Sequence, residues 1–402
     1  MPVKHVKEVF LYFLKLGFMG FGGPLALLNS MQRDLIEQRK WMAADVFLRA
    51  FSIIKAMPGP VAFQTAIFIG RHRAGWRGGF AALIGLIGPS FFMMILFGIF
   101  YDQWRSTPHV QEFLIGMQAA ALGVILATLG GLVSSHRRKP IFWSLVGFAT
   151  VFTAKFPAFE PLLIVASGTV TASIFYIQNL NDGKKVSKWL SNLRLAILPV
   201  NPLISPLFFP TTFQQFLIGN SEALATLSYQ TGLGQLLWNC FKSGAFLFGS
   251  GLAIVPLMEN DFVSKLGWLT HREFMDALAF GQITPGPVII AATFIGFRSF
   301  GMMGAVIATI AIFSAPFFHM MTWFPRFNER LSRLPWISAF LTGAIAAVVG
   351  AILTTTFDLA RALENQSVTI PLGALVLAAN RYSKIPTWIL IPAGGLITLL
   401  FT

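Results

Sequence analysis

Lys55-Ala56-Met57-Pro58-Gly59-Pro60-Val61 and, 227 residues further on, Gln282-Ile283-Thr284-Pro285-Gly286-Pro287-Val288 are the stretches that decide how this chain folds. Both lie inside long apolar runs. Two prolines around a glycine remove two backbone donors and cannot continue a regular helix. Pro60 and Pro287 instead suit the first turn of a restarted one. The motif is a stop and a restart, written twice.

The same shift aligns much of the rest. Lys15 and Gly17 fall on Lys242 and Gly244, Phe21-Gly22 on Phe248-Gly249, Asp34 on Asp261, Trp41 on Trp268 and Phe47 on Phe274. Arg71 falls on Arg298, Pro89 on Pro316, Gly116 on Gly343 and Gly123 on Gly350. The chain reads as a tandem duplication, with an N-terminal repeat at 1–180, a linker at 181–234 and a C-terminal repeat at 235–402.

Composition places this duplication in a lipid bilayer. Of 402 residues, 55% are hydrophobic and 11% charged, and the mean hydropathy is +0.68. Soluble domains carry about 25% charged residues. Apolar segments fall near 9–31, 46–70, 78–101, 113–134, 141–154, 161–180, 195–219, 235–258, 274–297, 299–323, 336–357, 367–380 and 386–402. They lack the period-2 alternation of barrel strands and predict an all-α polytopic fold with roughly 12 or 13 spans. Segment 195–219 carries Pro199, Pro202, Pro206 and Pro210, which leaves its crossing open. The first run reads as a retained helix, because Lys15 interrupts it and no small-residue cleavage site follows.

Several function classes drop out. Cys240 is the one cysteine, so neither an internal disulfide nor a CxxC site exists. The six histidines form no HExxH pair, and there is no GxxxxGK[ST] loop for ATP. No catalytic residue, metal ligand or cofactor is expected. The net charge of +14 sits in short loops between apolar runs, so it signals membrane orientation rather than nucleic acid.

Equivalent loops differ in that charge. Arg71, Arg73 and Arg77 face a lone Arg298, and a lone Arg105 faces Arg326, Arg330 and Arg333. Arg137, Arg138 and Lys139 face a lone Arg361, and Lys155 faces Arg381 and Lys384. Each pair flips its bias, which predicts two inverted-topology repeats of about six helical segments each. The expected orientation has the N-terminus cytoplasmic and the C-terminus outside.

A second glycine-rich stretch, Gly17-Phe18-Met19-Gly20-Phe21-Gly22-Gly23-Pro24, has its counterpart at Gly244 to Gly251. Both motifs predict broken or re-entrant helices. At membrane depth such breaks are tolerated only where buried or lining a cavity. Their half-helix N-termini offer free N–H groups and partial positive charge, which suit an anion. Lys15 and Lys242, at equivalent positions, and Lys55, before the first break, are read as buried positive charges. The rival reading is that Lys15 and Lys242 reach the interface. Candidate substrate-binding residues are Lys15, Gly22, Gly23, Lys55, Gly59, Gln64, Thr65, Lys242, Gly249, Gln282, Thr284 and Gly286. His319 is either a proton carrier or a core histidine. Arg33, Asp34, Glu37, Arg39 and Lys40 read as a solvated loop.

The ordered set resembles the chromate ion transporter (CHR) family in its long, two-domain form. The residues are Phe21-Gly22-Gly23-Pro24, Trp41, Phe47, Pro58-Gly59-Pro60, Phe68-Ile69-Gly70, Gly75-Trp76-Arg77-Gly78 and Pro89-Ser90. The second half repeats it with Pro285-Gly286-Pro287, Phe294-Ile295-Gly296 and Pro316. The resemblance implies a multi-pass inner-membrane transporter that exports chromate, with sulfate as a related anion. Leu27, Lys55 and Gly249-Ser250-Gly251 depart from the family's usual pattern.

The expected function is a secondary transporter of a tetrahedral oxyanion, not an enzyme. Its partners are chromate, sulfate and the lipid bilayer, with a homodimer left open. An anion channel, or a transporter of another inorganic anion, is the alternative. An intramembrane enzyme would need a buried acid or histidine cluster, and a scaffold would have no use for paired breaks.

Overall fold

A computed structural model describes residues 3–21, 23–55, 57–134, 136–180, 232–326, 334–383 and 385–400. Residues 181–231, which hold the 195–219 segment, lie outside it. The described residues form helices and no strands. The first repeat contains α1 (Val3–Met19), α2 (Gly23–Met31), α3 (Ala44–Ile54), α4 (Val61–Arg105), α5 (Pro108–Ser134), α6 (Pro140–Lys155) and α7 (Glu160–Leu180). The second contains α8 (Gly232–Ala245), α9 (Val255–Glu259), α10 (His271–Ile283), α11 (Ala291–Met321), α12 (Pro335–Arg361), α13 (Gln366–Tyr382) and α14 (Thr387–Thr398).

Both proline motifs break the chain as expected. Helix α3 ends at Ile54 and α4 starts after Pro60; α10 ends at Ile283 and the chain restarts after Pro287. The glycine stretches also interrupt it, at 20–21 and at 246–250. The charged run at 32–38 is a π-helical turn rather than a loop, matched by another at 260–265.

Helix α4 kinks at Ala74–Gly75, where Gly75 has φ +64°, and α11 kinks at Phe300–Gly301, where Gly301 has φ +60°. The limbs fold back on themselves. Gly70 and Gly78 are in backbone contact, as are Gly296 and Gly304, pairs that a straight helix would hold two turns apart. Here the repeat offset is 226 rather than 227, so Arg298 stands opposite His72 and not Arg71.

The limb 61–73 is about 20 Å long, against a hydrocarbon core of about 30 Å. It is one limb of a hairpin whose tip is the Ala74–Gly75 kink, as 291–299 is of one whose tip is Phe300–Gly301. Such splitting explains the span count. Five described segments are long and apolar enough to cross a membrane, Val61–Arg105, Pro108–Ser134, Pro157–Gln178, Val288–Arg326 and Pro335–Arg361. The runs at 9–31, 46–70, 235–258 and 274–297 are each divided by a break, so the expected 12 or 13 full spans are not formed among the described residues.

Ion pairs fix the relative direction of the repeats. The first hairpin tip is tied through Arg73 to Glu8 at the start of α1, 3.1 Å apart. The other end of α4 carries Asp102 and Arg105. Asp102 lies 2.9 Å from Arg298 at the second hairpin tip, and Arg105 lies 3.8 Å from Glu273 at the start of α10. The two tips therefore sit at opposite ends of one spanning helix, and the repeats are inverted.

Packing is reciprocal. Helix α5 of the first repeat packs on α13 and α14 of the second, while α12 of the second packs on α6 and α7 of the first. Equivalent glycines permit these crossings. Gly116 and Gly123 lie against the backbones of Gly394 and Gly373; Gly343 and Gly350 lie against those of Ser167 and Val146.

Candidate functional site

The two proline motifs meet the opposite repeat. Gly59 has φ +126° and Gly286 φ +115°, conformations that a side chain resists. The Gly59 N–H donates to the Leu247 carbonyl, 2.6 Å away in the broken glycine stretch of the second repeat. A Cβ on Gly59 would come within 2.8 Å of Pro316 Cβ, and one on Gly286 would come within 3.2 Å of Ser90 Oγ. Pro316 and Pro89 are counterparts, so each loop is seated on the proline turn of the other repeat's long helix. The limb that follows restarts at the break, and its first N–H groups, from Val61, Ala62 and Phe63, have no acceptor within their own helix.

Two buried glutamines flank these loops. Gln64 Nε2 donates to the Pro58 carbonyl at 2.7 Å, which closes the loop, while its Oε1 has no partner. Gln282 is 6% exposed, and neither its amide nitrogen nor its oxygen has a protein partner. Leaving such a group unsatisfied costs about 1–3 kcal/mol, which a ligand hydrogen bond removes. Thr65 and Thr284 spend their single donor on the carbonyls of Val61 and Gly281, at 2.7 and 3.1 Å. They have no free donor for an oxyanion in this state. Gly23 opens α2 and Gly249, with φ +83°, lies in the second break; Gly22 is outside the described residues.

The lysines differ from expectation. Lys55 is exposed, with Nζ 4.3 Å from the centre of the Phe51 ring, rather than buried at the break. Lys242 is not an unpaired charge, because its Nζ lies 2.6 and 2.8 Å from the two Asp261 oxygens. Burial raises the Asp261 carboxyl above its usual range, against the pull of Lys242. Lys15 is exposed, and among the described residues no carboxylate lies within ion-pair distance of it. It lines a cavity of about 260 Å³ with Tyr12, Ser30, Arg33, Asp34 and Arg39. His319 stands in α11 with its ring 5.6 Å from that of Trp323.

Three buried acids, Asp276, Glu160 and Glu259, escaped the sequence reading. Asp276 accepts from Tyr101 Oη at 2.6 Å and Gln118 Nε2 at 2.8 Å, joining the second repeat to the first. Its signal was a lone acid inside an apolar run. Glu160, 1% exposed, opens α7 and has no hydrogen-bond partner for either oxygen. Its place at the edge of the 161–180 run concealed it.

Comparison with known proteins agrees with this architecture. The family model described as chromate transporter matches twice, at residues 7–173 and 234–399. A probable chromate transport protein of Synechococcus elongatus is 33% identical over all of this chain and 96% of its own length. The chromate transport protein of Cupriavidus metallidurans is 29% identical, covering 99% of this chain and 94% of its own. That of Pseudomonas aeruginosa is 26% identical, covering 94% and 87%. No solved structure matches. Two matches of the family model, one on each repeat, make the chain a member of the chromate transporter family.

Proposed function

We propose that this chain is a secondary transporter that exports chromate across the inner membrane, with sulfate as a related substrate. The oxyanion is held beside the two proline breaks, by half-helix N–H groups and by the amides of Gln64 and Gln282. The observation that carries this is Gln282, a buried amide with unmet hydrogen bonds beside a break. The positive-inside bias supports the orientation, since Arg71, Arg73 and Arg77 flank the first tip. The α5 helix returns the chain to that face, where Arg137, Arg138 and Lys139 follow. The cavity of Lys15, Arg33 and Arg39 then opens toward the cytoplasm, and its excess positive charge draws anions in. Exchange of one repeat's tilt against the other gives alternating access.

The test is uptake of labelled chromate and sulfate into inverted membrane vesicles. Saturable accumulation against a gradient is expected. Equilibration without accumulation or counterflow would favour an anion channel.

A further inference from the structure

The face opposite the basic cavity holds one of the opposite sign. It has a volume of about 320 Å³ and is lined by Glu160, Glu259 and Asp358 with Thr153, His271 and Arg361. Asp358 and Arg361 are exposed at its mouth, and His271 is partly exposed. Glu160 lies at its floor with both oxygens unpartnered, beside the Thr153 hydroxyl, which is also buried and unpartnered. The neighbouring acids are engaged. Glu259 accepts from Ser264 Oγ at 3.0 Å and lies 3.4 Å from His271 Nδ1, and Asp261 holds Lys242.

The cavity lies between the repeats. Thr153, Ala154, Pro157 and Glu160 come from the α6–α7 region of the first repeat, and the other lining residues from the second repeat, Asp358 and Arg361 on its helix α12. The position equivalent to Glu160 in the second repeat is Thr387, so the acid occurs once. A transporter that moves the repeats against each other would open and close this floor.

We propose that Glu160 is the proton-binding site through which this transporter is coupled, an inference that rests on the transport reading above. Burial without a donor disfavours a bare carboxylate there. The groups that face it are Lys242 on α8, Glu259 on α9, Asp261 on the π-turn, His271 on α10, and Asp358 and Arg361 on α12. Lys242 is already held by Asp261, so the carboxyl stays neutral by keeping its O–H bond. Glu160 takes its proton from water of this outer cavity; when the repeats move and inner-face water reaches the carboxyl, that O–H bond breaks and the proton passes to water on the inner side. The proton comes from the outer face as the anion leaves from the inner one, which makes the exchange an antiport.

The experiment compares full-length wild type with Glu160→Gln and Glu160→Asp. In proteoliposomes of inverted orientation, an interior-acid gradient should raise chromate accumulation by wild type. Glu160→Gln should lose that response and keep chromate–chromate exchange, and Glu160→Asp should restore part of the response. A Glu160→Gln protein that still responds to the gradient as wild type does overturns the proposal. A second readout needs no transport. Infrared spectra of wild type at neutral pH should show the carbonyl band of a protonated carboxyl that is missing in Glu160→Gln. If that variant's band is unchanged, Glu160 is ionised and the proposal fails, even where the chromate reading stands. If wild type moves no chromate but the band is present, the transport reading fails and the protonation of Glu160 survives it.

Discussion

Lys15 and Lys242 occupy the same place in the two repeats, each nineteen residues before an aspartate, yet they meet different fates. In the first repeat, Asp34 is taken by Arg33 Nε at 2.9 Å and Tyr12 Oη at 3.2 Å, and Lys15 stays open to its cavity. In the second, the counterparts of Tyr12, Arg33 and Arg39 are Asn239, Asn260 and Leu266, which carry no charge. Asp261 pairs with Lys242, with the neutral Asn260 amide and the more distant Lys265 as its other neighbours, and the pair closes. Competition for a single carboxylate decides whether the lysine stays open to its cavity, as Lys15 does, or is closed off, as Lys242 is.

The proline loops should show the largest difference in transport between the two repeats. Gly59→Ala and Gly286→Ala both force a side chain into a disfavoured conformation, about 1–3 kcal/mol each. Gly59→Ala also drives a Cβ against Pro316 and the Gln64 amide, whereas Gly286→Ala meets only Ser90 at 3.2 Å. Chromate uptake should fall further in Gly59→Ala. Equal losses would mean that the loops are not seated as described.

The aspartate pair differs in its effect on stability rather than on transport. Asp261→Asn strands a largely buried lysine and should lower stability by about 3–5 kcal/mol. Asp34, with 27% of its side chain exposed, should cost about 1 kcal/mol or less as Asp34→Asn. Thermal unfolding in detergent separates the two. The double variant Tyr12→Asn with Arg33→Asn tests the competition itself. It frees Asp34 to capture Lys15, and the apparent KM for chromate should rise about tenfold, the equivalent of 1.4 kcal/mol, while the maximal rate is kept. An unchanged KM would remove Lys15 from the entry path.

The smallest effect concerns the caps. Helix α10 begins with a capping box, Thr270 and Glu273, where α3 has Ala43 and Val46 and no side-chain cap. Thr270→Ala should cost about 1 kcal/mol. Burial opposes ionisation of Glu273, but the Thr270 bonds and Arg298 outweigh it and hold the carboxyl below its usual range. Its stabilising contribution is therefore full at neutral pH and is lost as pH falls through the acid range. Glu273→Gln should flatten that acid limb in an unfolding titration.

The backbone features were legible because each is a local demand. Two prolines around a glycine stop a helix wherever they occur, and Gly116, Gly123, Gly343 and Gly350 recur because helices cross there. Span number was less legible, since a half-helix such as 61–73 is as apolar as a full one and only the kink at Gly75 divides it from the next. Charge pairing was the least legible. Lys242 read as unpaired because its partner lies in a π-turn outside the apolar run, although the matching recurrence of Asp34 and Asp261 was the clue. Lys55 read as buried because its neighbours in sequence are apolar, but the end of α3 points it outward. Glu160 is isolated only by the tertiary arrangement of α7 against α9 and α12, which no spacing in the sequence records.

The most direct test of the account is labelled chromate uptake by proteoliposomes carrying wild type, Gln282→Ala or Lys55→Gln. Gln282→Ala should lose on the order of tenfold or more, the value of a hydrogen bond to a charged ligand, and Lys55→Gln should keep near-wild-type uptake. Wild-type uptake by Gln282→Ala, or a collapse in Lys55→Gln alone, would place the oxyanion elsewhere than between the two breaks.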